Sequence, residues 1–349
     1  MSLFDHRLEM ELSAYYKKTN DAFMTKNVSS VNGVSSYIIN GGDVTNKGYS
    51  FDITYNAIRN KDFRWTLSTS ISKVMNSVDS KPDSQTYELA NFLNGTAVVK
   101  GQSVNTFYSY KFLGLSPLDG GPLFDDYADN PAALRGLSKY DVFTTVLEAS
   151  GKRDADIQGS LTNTFRYKNW RASVSLGYSF GAKTRLFAMY GSAASGAAYS
   201  ANMYPEKNYS RDYLKRWQQP GDEKHTNIPS LISFNSVAYF KYIRHWSVMG
   251  LYKDIPTIAE SYWDMYDYSN IRVVSADYLK LQSMSLTYEF PMQTLSRIGF
   301  QRIALTASAY NLFCICDSAV KGQTPTQGGF STIQLSDRPS FSLGVNIIF

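Results

Sequence analysis

The sequence predicts an all-β protein, an antiparallel transmembrane β-barrel wall with long connecting loops, from three observations. First, the final ten residues alternate strictly, with an apolar side chain at every odd position from Phe341 to Phe349. A strand points alternate side chains to opposite faces, so this segment has one apolar and one mostly polar face. Second, other segments repeat this pattern. Third, aromatic residues form 15% of the 349 residues, as in barrels with aromatic girdles at both membrane interfaces.

The overall composition is compatible with such a wall. The mean hydropathy is −0.29, and barrels can have a low average because only every second residue of a strand faces lipid. No run of about 18 apolar residues occurs, so no transmembrane helix is predicted. The net charge of +5 comes from interspersed charges of both signs. Because no Lys/Arg block stands out, nucleic-acid binding is not predicted.

The first three strands are expected within the first 74 residues. Alternation of apolar and polar residues predicts a strand over 8–17, and an Asn-, Ser- and Gly-rich stretch predicts a long loop over 18–47. A second strand is expected over 49–59 and a third over 63–74. Because only the polar turn 60–62 separates them, these two strands are predicted to form a hairpin.

The middle of the chain predicts another hairpin between long loops. A fourth, less regular strand is expected over 104–113, followed by a mostly loop-like stretch. Strands over 157–167 and 170–180, joined at Lys168-Asn169, form the clearest predicted hairpin. Strand directions alternate only if one more strand lies between 114 and 154 or if one candidate is false.

The last third predicts a long excursion and three closing strands. Residues 191–270 are rich in Ser, Tyr, Asp and Pro and are expected to form an extracellular loop, since barrels combine short turns on one side with long loops on the other. The seventh strand, over 277–290, changes phase near Gln282-Ser283, which predicts a β-bulge. An eighth strand over 302–313 and the terminal strand complete about ten.

The chain lacks the constellations typical of enzymes and of cofactor or metal sites. His6, His225 and His245 are far apart, without metal-ligand spacing. Cys314 and Cys316 are interpreted as loop thiols without a metal. Neither a glycine-rich phosphate loop nor the hydrolase nucleophile elbow occurs. We therefore predict no catalytic residue, no cofactor and no metal.

Several segments resemble SusC/RagA-type TonB-dependent transporters. The segment Arg-Trp-Gln-Gln-Pro-Gly-Asp at 216–222 is similar to a loop motif of this family. Residues 278–291, Asn-Leu-Phe at 311–313 and Asn-Lys-Gly at 46–48 resemble further family segments, in the family's order. The five positions that carry the loop motif are Arg216, Trp217, Pro220, Gly221 and Asp222.

The resemblance implies the C-terminal part of an outer-membrane importer. Residues 1–349 would supply about the last ten strands of a barrel of about 22, and the family's signal peptide and plug are absent from them. The implied cargo is an oligosaccharide or peptide nutrient. The implied partners are outer-membrane lipid, a SusD-like lipoprotein lid over the outer mouth, and the TonB complex acting through the missing N-terminal region.

Two sets of residues receive roles in this interpretation. Placing an arginine in lipid at mid-bilayer would cost about 2–4 kcal/mol, so the polar strand faces are expected to line the lumen. The lumen-face candidates for substrate contact are Asp52, Arg64, Asp156, Arg166 and Arg171. The terminal strand that would take part in barrel assembly presents Phe341, Leu343, Val345, Ile347 and Phe349.

Two other kinds of protein fit the alternating pattern. One is a self-closed barrel of about ten strands that acts as a porin or adhesin. The other is a soluble, carbohydrate-binding β-sandwich, in which a second protein layer would cover the apolar strand faces.

Overall fold

The structure is a computed structural model that describes residues 2–27, 36–80, 87–190, 209–232, 236–249, 252–296, 299–320, 325 and 337–349. It contains many strands and few, short helices. The strands are β1 (Ser2–Leu3), β2 (Leu8–Asn27), β3 (Ser36–Arg59), β4 (Phe63–Val78), β5 (Thr106–Tyr110), β6 (Phe112–Leu115), β7 (Pro122–Phe124), β8 (Leu147–Lys152), β9 (Ile157–Tyr167), β10 (Trp170–Phe180), β11 (Lys183–Arg185), β12 (Val273–Ser275), β13 (Tyr278–Glu289), β14 (Arg302–Tyr310), β15 (Cys314–Cys316) and β16 (Ser340–Ile348).

The helices lie in the connections between the long strands. The α-helices are α1 (Leu89–Leu93), α2 (Lys139–Val146), α3 (Val237–Ile243), α4 (Tyr262–Asp267) and α5 (Met292–Leu295), and 3-10 turns occur at Pro131–Leu134, Arg211–Lys215, Asp222–Lys224, Trp246–Met249, Asn270–Arg272 and Ser318–Val320. Among the described residues, no helix is long and apolar enough to cross a membrane.

One antiparallel sheet dominates the fold. It has ten strands in the order β1-β2-β3-β4-β9-β10-β13-β14-β16, and β15 pairs with β13. We call its eight long strands, all except β1 and β15, the wall. Short connections join β3 to β4, β9 to β10 and β13 to β14 at one end of the wall. Because neighbouring strands run in opposite directions, all the long connections leave from the other end.

The register separates an apolar from a polar face, as the alternation predicts. Leu12, Phe51 and Ile71 lie directly opposite one another on β2, β3 and β4. Within the described part of the chain no second protein layer covers the apolar face: the exposed fraction is 46% for Trp170 and 75% for Phe341. The described residues therefore do not form the alternative fold, a sandwich of two packed sheets.

Bulges or register shifts interrupt the wall at several places, including the β2–β3 pair near Ala22. Ser175 lies opposite Ser283, whereas Leu176 lies opposite Leu281, so Gln282 is the extra residue. This confirms the bulge that the phase change predicts. A second bulge, which the sequence analysis did not predict, falls between Asn56 and Ile58.

Two expectations are wrong: a strand of the wall over 104–113 and a loop over 18–47. The fourth candidate strand, over 104–113, does not join the wall: β4 pairs directly with β9, and β5 pairs with β8 outside the sheet. Removing this candidate makes the strand directions alternate. The loop expected over 18–47 is mostly strand, because β2 and β3 stay paired out to Asn27 and Ser36. Backbone hydrogen bonds can extend a ladder beyond the alternating segment; residues 28–35 lie outside the described part.

The buried core lies in the long connections. We call the described parts of residues 87–152 and 181–276 the loop layer. Its core contains, among others, Phe92, Tyr110, Tyr242 and Trp263, each at most 1% exposed. The excursion expected over 191–270 therefore contributes to a packed unit, together with the connection between β4 and β9. Residues 191–208, 233–235 and 250–251 lie outside the described part.

Candidate functional site

Three of the lumen-face candidates meet in one row across the polar face of the wall. Arg64 on β4 lies opposite Arg166 on β9, and Arg166 lies opposite Arg171 on β10. All three side chains are exposed. With the described residues, none of them forms an ion pair or a side-chain hydrogen bond.

A fourth arginine, which was not among the predicted site residues, extends the row. Simple alternation along β3 would place Arg59 on the apolar face together with Tyr55. The bulge at Ala57 shifts the phase, so that Arg59 lies opposite Arg64 on the polar face. The adjacent apolar pair Ala57-Ile58 was the available sequence signal. We call Arg59, Arg64, Arg166 and Arg171 the arginine row.

The arginine row concentrates positive charge on an otherwise hydroxyl-rich surface. Like charges directly opposite each other on neighbouring strands destabilise a sheet. The next polar positions toward the loop layer hold Thr66, Thr164 and Ser173, which lie in register. Guanidinium groups bind carboxylates and related oxyanions through paired hydrogen bonds, and hydroxyls can add further ones. This arrangement can therefore bind anions.

The two acidic candidates lie away from the arginine row. Asp52 lies opposite Glu11 on β2, near the edge of the sheet. Asp156 lies at the loop-layer end, where its carboxylate accepts a hydrogen bond from Lys152 Nζ at 3.0 Å. The structure thus brings together Arg64, Arg166 and Arg171 and separates both aspartates from them.

The family-motif loop forms a closed turn. The Asp222 carboxylate accepts hydrogen bonds from the backbone N–H groups of Gln218 and Gln219, at 2.9 and 3.0 Å. Gly221, which follows Pro220, has φ +104°, a left-handed conformation that a side chain would strain. The motif therefore has a clear local role in holding its own backbone.

The same motif fastens its loop to a neighbouring turn. The Trp217 side chain is 7% exposed and packs so closely on Gly120 that a Cβ there would lie 2.4 Å from the indole ring. The Trp217 ring N–H donates to Glu223 Oε2 at 3.2 Å. Arg216 Nη1 donates to the carbonyl oxygen of Tyr213 at 3.0 Å. These contacts stabilise the loop layer.

A buried polar cluster also stabilises the loop layer. Asp126 Oδ2 lies 3.1 Å from His245 Nε2 and accepts a hydrogen bond from Tyr262 at 3.0 Å. Burial raises the pKa of the Asp126 carboxyl, but hydrogen bonds from His245, the Ala128 backbone and Tyr262 outweigh this effect. The pKa of Asp126 consequently lies below its ordinary value.

Exposed apolar side chains mark the outer surface of the loop layer. Leu118 is 86% exposed and Val237 is 89% exposed. The turn that carries Leu118 is joined to α3 by Asp119, which accepts a hydrogen bond from Tyr242 at 2.9 Å and lies 3.8 Å from Lys241 Nζ. We call Leu118, Leu214, Val237 and Phe240 the outer apolar residues; each is at least 59% exposed.

The terminal strand β16 forms one edge of the wall. It pairs only with β14 among the described strands, and β2 lies at the other edge, where only the short β1 pairs with it. The alternating residues expected to take part in assembly are all exposed: Phe341 75%, Leu343 89%, Val345 63%, Ile347 46% and Phe349 77%.

Comparisons with known proteins match the wall and the loop layer together. The RagAB peptide transporter superposes with a TM-score of 0.71 at 18% identity, covering 100% of this chain and 34% of that one. TonB-dependent receptor P3 of Formosa agariphila is 24% identical over 335 residues, which is 91% of this chain and 29% of the relative. TonB-dependent receptor P39 of the same organism is 25% identical over 399 positions, which cover 100% of this chain and 34% of the relative.

The chain therefore spans about a third of the length of these relatives, which are named as receptors and not as enzymes. No family model matches the sequence. The structural match shows the barrel fold, and the sequence matches confirm the resemblance predicted from the motifs. The chain is similar to TonB-dependent transporters of the SusC/RagA type.

Proposed function

We propose that this chain forms the C-terminal part of the barrel wall and of the outer loop layer in an outer-membrane TonB-dependent importer. One observation carries the proposal: a wall with one exposed apolar and one exposed polar face is continuous with a packed loop layer. An exposed apolar face needs hydrocarbon as its solvent. A polar face on the other side suits a water-filled passage.

The cargo in this proposal is an oligosaccharide or peptide nutrient. Because the chain spans about a third of its relatives, a plug and a TonB-contacting segment would come from residues outside these 349. The open edges of the wall, β2 and β16, favour this arrangement over a self-closed porin. Each presents an unpaired ladder, and strands from the rest of a larger barrel would satisfy both.

A SusD-like lipoprotein would rest on the loop layer. The outer apolar residues are each exposed, and exposed apolar surface commonly marks protein–protein contacts. The packed core beneath them fixes their positions, because Trp217 and Tyr242 fill the space next to Gly120 and Gly121. Such a lid would close the mouth of the passage at the end from which the long connections leave.

The central test follows the protein in the bacterium that makes it. A tagged protein is expected in the outer-membrane fraction, with a band that migrates differently in SDS before and after boiling, as folded barrels do. A deletion strain is expected to lose growth on one class of oligomer, glycan or peptide, and to keep growth on the monomers. A protein found in the soluble fraction would contradict the proposal.

The lid is tested by co-purification in detergent. Leu118→Glu combined with Val237→Glu places two charges on the outer surface and should reduce recovery of a lipoprotein partner. The matched control, Leu118→Met with Val237→Ile, keeps the surface apolar and should leave recovery unchanged. Equal recovery with both variants would contradict lid binding at this surface.

A further inference from the structure

We propose that the arginine row is a binding track for an anionic oligomer, a substrate chain that carries carboxylate or sulfate groups. The inference rests on the proposed function, because it places this face in the lumen of an importer. It narrows the cargo from any glycan or peptide to a negatively charged one.

The geometry suits an oligomer better than a single ion. The four arginines occupy register-matched positions on the adjacent strands β3, β4, β9 and β10. Neighbouring strands lie about 4.8 Å apart, so the row extends across roughly 14 Å. A ligand with repeated charged groups could contact several guanidinium groups at once, whereas a single small anion could occupy only part of the row.

Two other cations of the same face, unlike the arginine row, have acidic partners. At the same end of the wall, Arg302 Nη2 donates to Glu289 Oε1 at 2.5 Å. Lys280, farther along the polar face, is paired with Asp337. These cations have acidic partners, whereas the four members of the arginine row have none among the described residues. The described residues therefore do not neutralise the positive charge of the row.

The neighbouring groups complete an oxyanion site. Thr66, Thr164 and Ser173 line the row on its loop-layer side. The Thr66 hydroxyl donates to Asn56 Oδ1 at 2.9 Å, and the hydroxyls of Thr164 and Ser173 can donate to a ligand. Arginine holds carboxylates and similar oxyanions by two parallel hydrogen bonds, which a neutral sugar ring cannot match. A local patch of one sign of charge also raises the concentration of counter-charged ligands near it. The row would thus both attract and orient anionic substrate.

Binding to the folded protein, purified from outer membranes in detergent, tests the inference. The probes are a sulfated tetrasaccharide, an oligogalacturonate, a hexaglutamate peptide and a neutral oligosaccharide of equal length. At least one anionic probe is expected to bind more tightly than the neutral one, with affinity that falls as salt rises. Which anionic probe binds best distinguishes sulfate from carboxylate and sugar from peptide.

Two matched arginine variants locate the site. Arg166→Gln removes the central charge of the row and should weaken anionic binding by about tenfold, as expected for the loss of a charge-assisted contact. The control variant, Arg302→Gln, removes one charge from the same face and the same end of the wall. Because Arg302 is already paired with Glu289, this variant should change anion binding by less than about twofold. If Arg166→Gln does not fold, Arg171→Gln serves as the row variant.

Two outcomes would overturn the inference: equal binding of neutral and anionic probes, or equal effects of the row and control variants. For the same preparation, the cell fraction that contains the protein and the change in its gel mobility on boiling are also measured. If the protein is folded in the outer membrane but binds anionic probes no more tightly than the neutral one, only the anionic track is contradicted. Recovery in the soluble fraction contradicts the importer itself.

Discussion

Large apolar side chains are buried in the loop layer but exposed on the wall. In the loop layer, Phe92 and Trp263 are at most 1% exposed and are surrounded by other aromatic rings. In the wall, Trp170 and Phe341 are 46% and 75% exposed. The two regions belong to one chain and have similar kinds of residues, yet only one of them builds a protein core.

In the proposed importer the two regions face different solvents. The loop layer removes its aromatic side chains from water by packing them together, as soluble domains do. The wall leaves its apolar face for hydrocarbon and its polar face for water. The long connections are therefore a packed platform that can hold a binding surface in place. Four predictions, ordered by expected effect, test this comparison.

The largest effect is expected from the same Phe→Ala change made in each region. Phe92 is 0% exposed, with ring centroids 5.5 and 5.6 Å from those of Tyr108 and Phe143. Phe92→Ala should destabilise the loop layer by about 3–5 kcal/mol. Phe341→Ala, on the exposed terminal strand, leaves no cavity in a protein core and should cost less, at most the transfer free energy of the side chain into hydrocarbon, about 1.5–3 kcal/mol. Hydrogen exchange of the purified protein in detergent measures both; similar losses would break the comparison.

A Val→Arg change made in each region should have the larger effect on folding in the wall, whereas Phe→Ala should have the larger effect in the loop layer. Val174 lies on the apolar face of β10, and Val174→Arg should cost about 2–4 kcal/mol if that face meets mid-bilayer lipid. Val237, 89% exposed on the loop layer, should accept arginine with little change in folding. The amount of heat-modifiable protein in outer membranes is the measurement. Normal amounts of the Val174→Arg protein would contradict a lipid-facing wall.

A Gly→Ala pair tests how tightly each region is packed. Gly120 has φ +67° and lies against Trp217, so Gly120→Ala should destabilise the loop layer by about 1–3 kcal/mol. At Gly344 in β16, an added Cβ would come no closer than 4.0 Å to Thr306. Gly344→Ala should be neutral or stabilising by about 0.5 kcal/mol. Limited proteolysis of the loop layer should detect the first variant and not the second.

The smallest effect is expected from acid. The pKa of Asp126 is lowered in the folded protein, so its contribution to stability is complete above the ordinary carboxyl pKa near 4 and disappears as the pH falls through the lowered value. Acid should therefore lower the hydrogen-exchange protection factors, which are corrected for the intrinsic exchange rate at each pH, around His245 and Tyr262. Asp126→Asn should show weaker acid dependence than the native protein. An equal response of both proteins would show that another group controls it.

Much of the wall was predictable because its strands obey a period of two. The hairpin turns at 60–62 and 168–169 and the bulge at Gln282 were all visible in the sequence. The placement of Arg64, Arg166 and Arg171 on the polar face followed from the cost of charge in lipid. Their exact alignment did not, because register depends on turn lengths and bulges together.

The loop layer was not predictable to the same degree. β5 is buried on both faces, so its residues show no apolar–polar alternation, and the segment resembled an irregular wall strand. Helix α2 is only eight residues long, and a segment of this length gives little periodic signal. The contacts that bury both elements come from residues far apart in the chain, such as the hydrogen bond from Tyr110 to the Ile258 carbonyl.

The amphipathic strands and the apolar face of each could be identified from the sequence, because alternation is a property of neighbouring residues. Tertiary structure alone decided two things. It gathered distant aromatic residues into the core of the loop layer, and it aligned four arginines across four strands. Both outcomes depend on pairing between remote segments, and a single extra residue such as Ala57 is enough to move Arg59 from one face to the other.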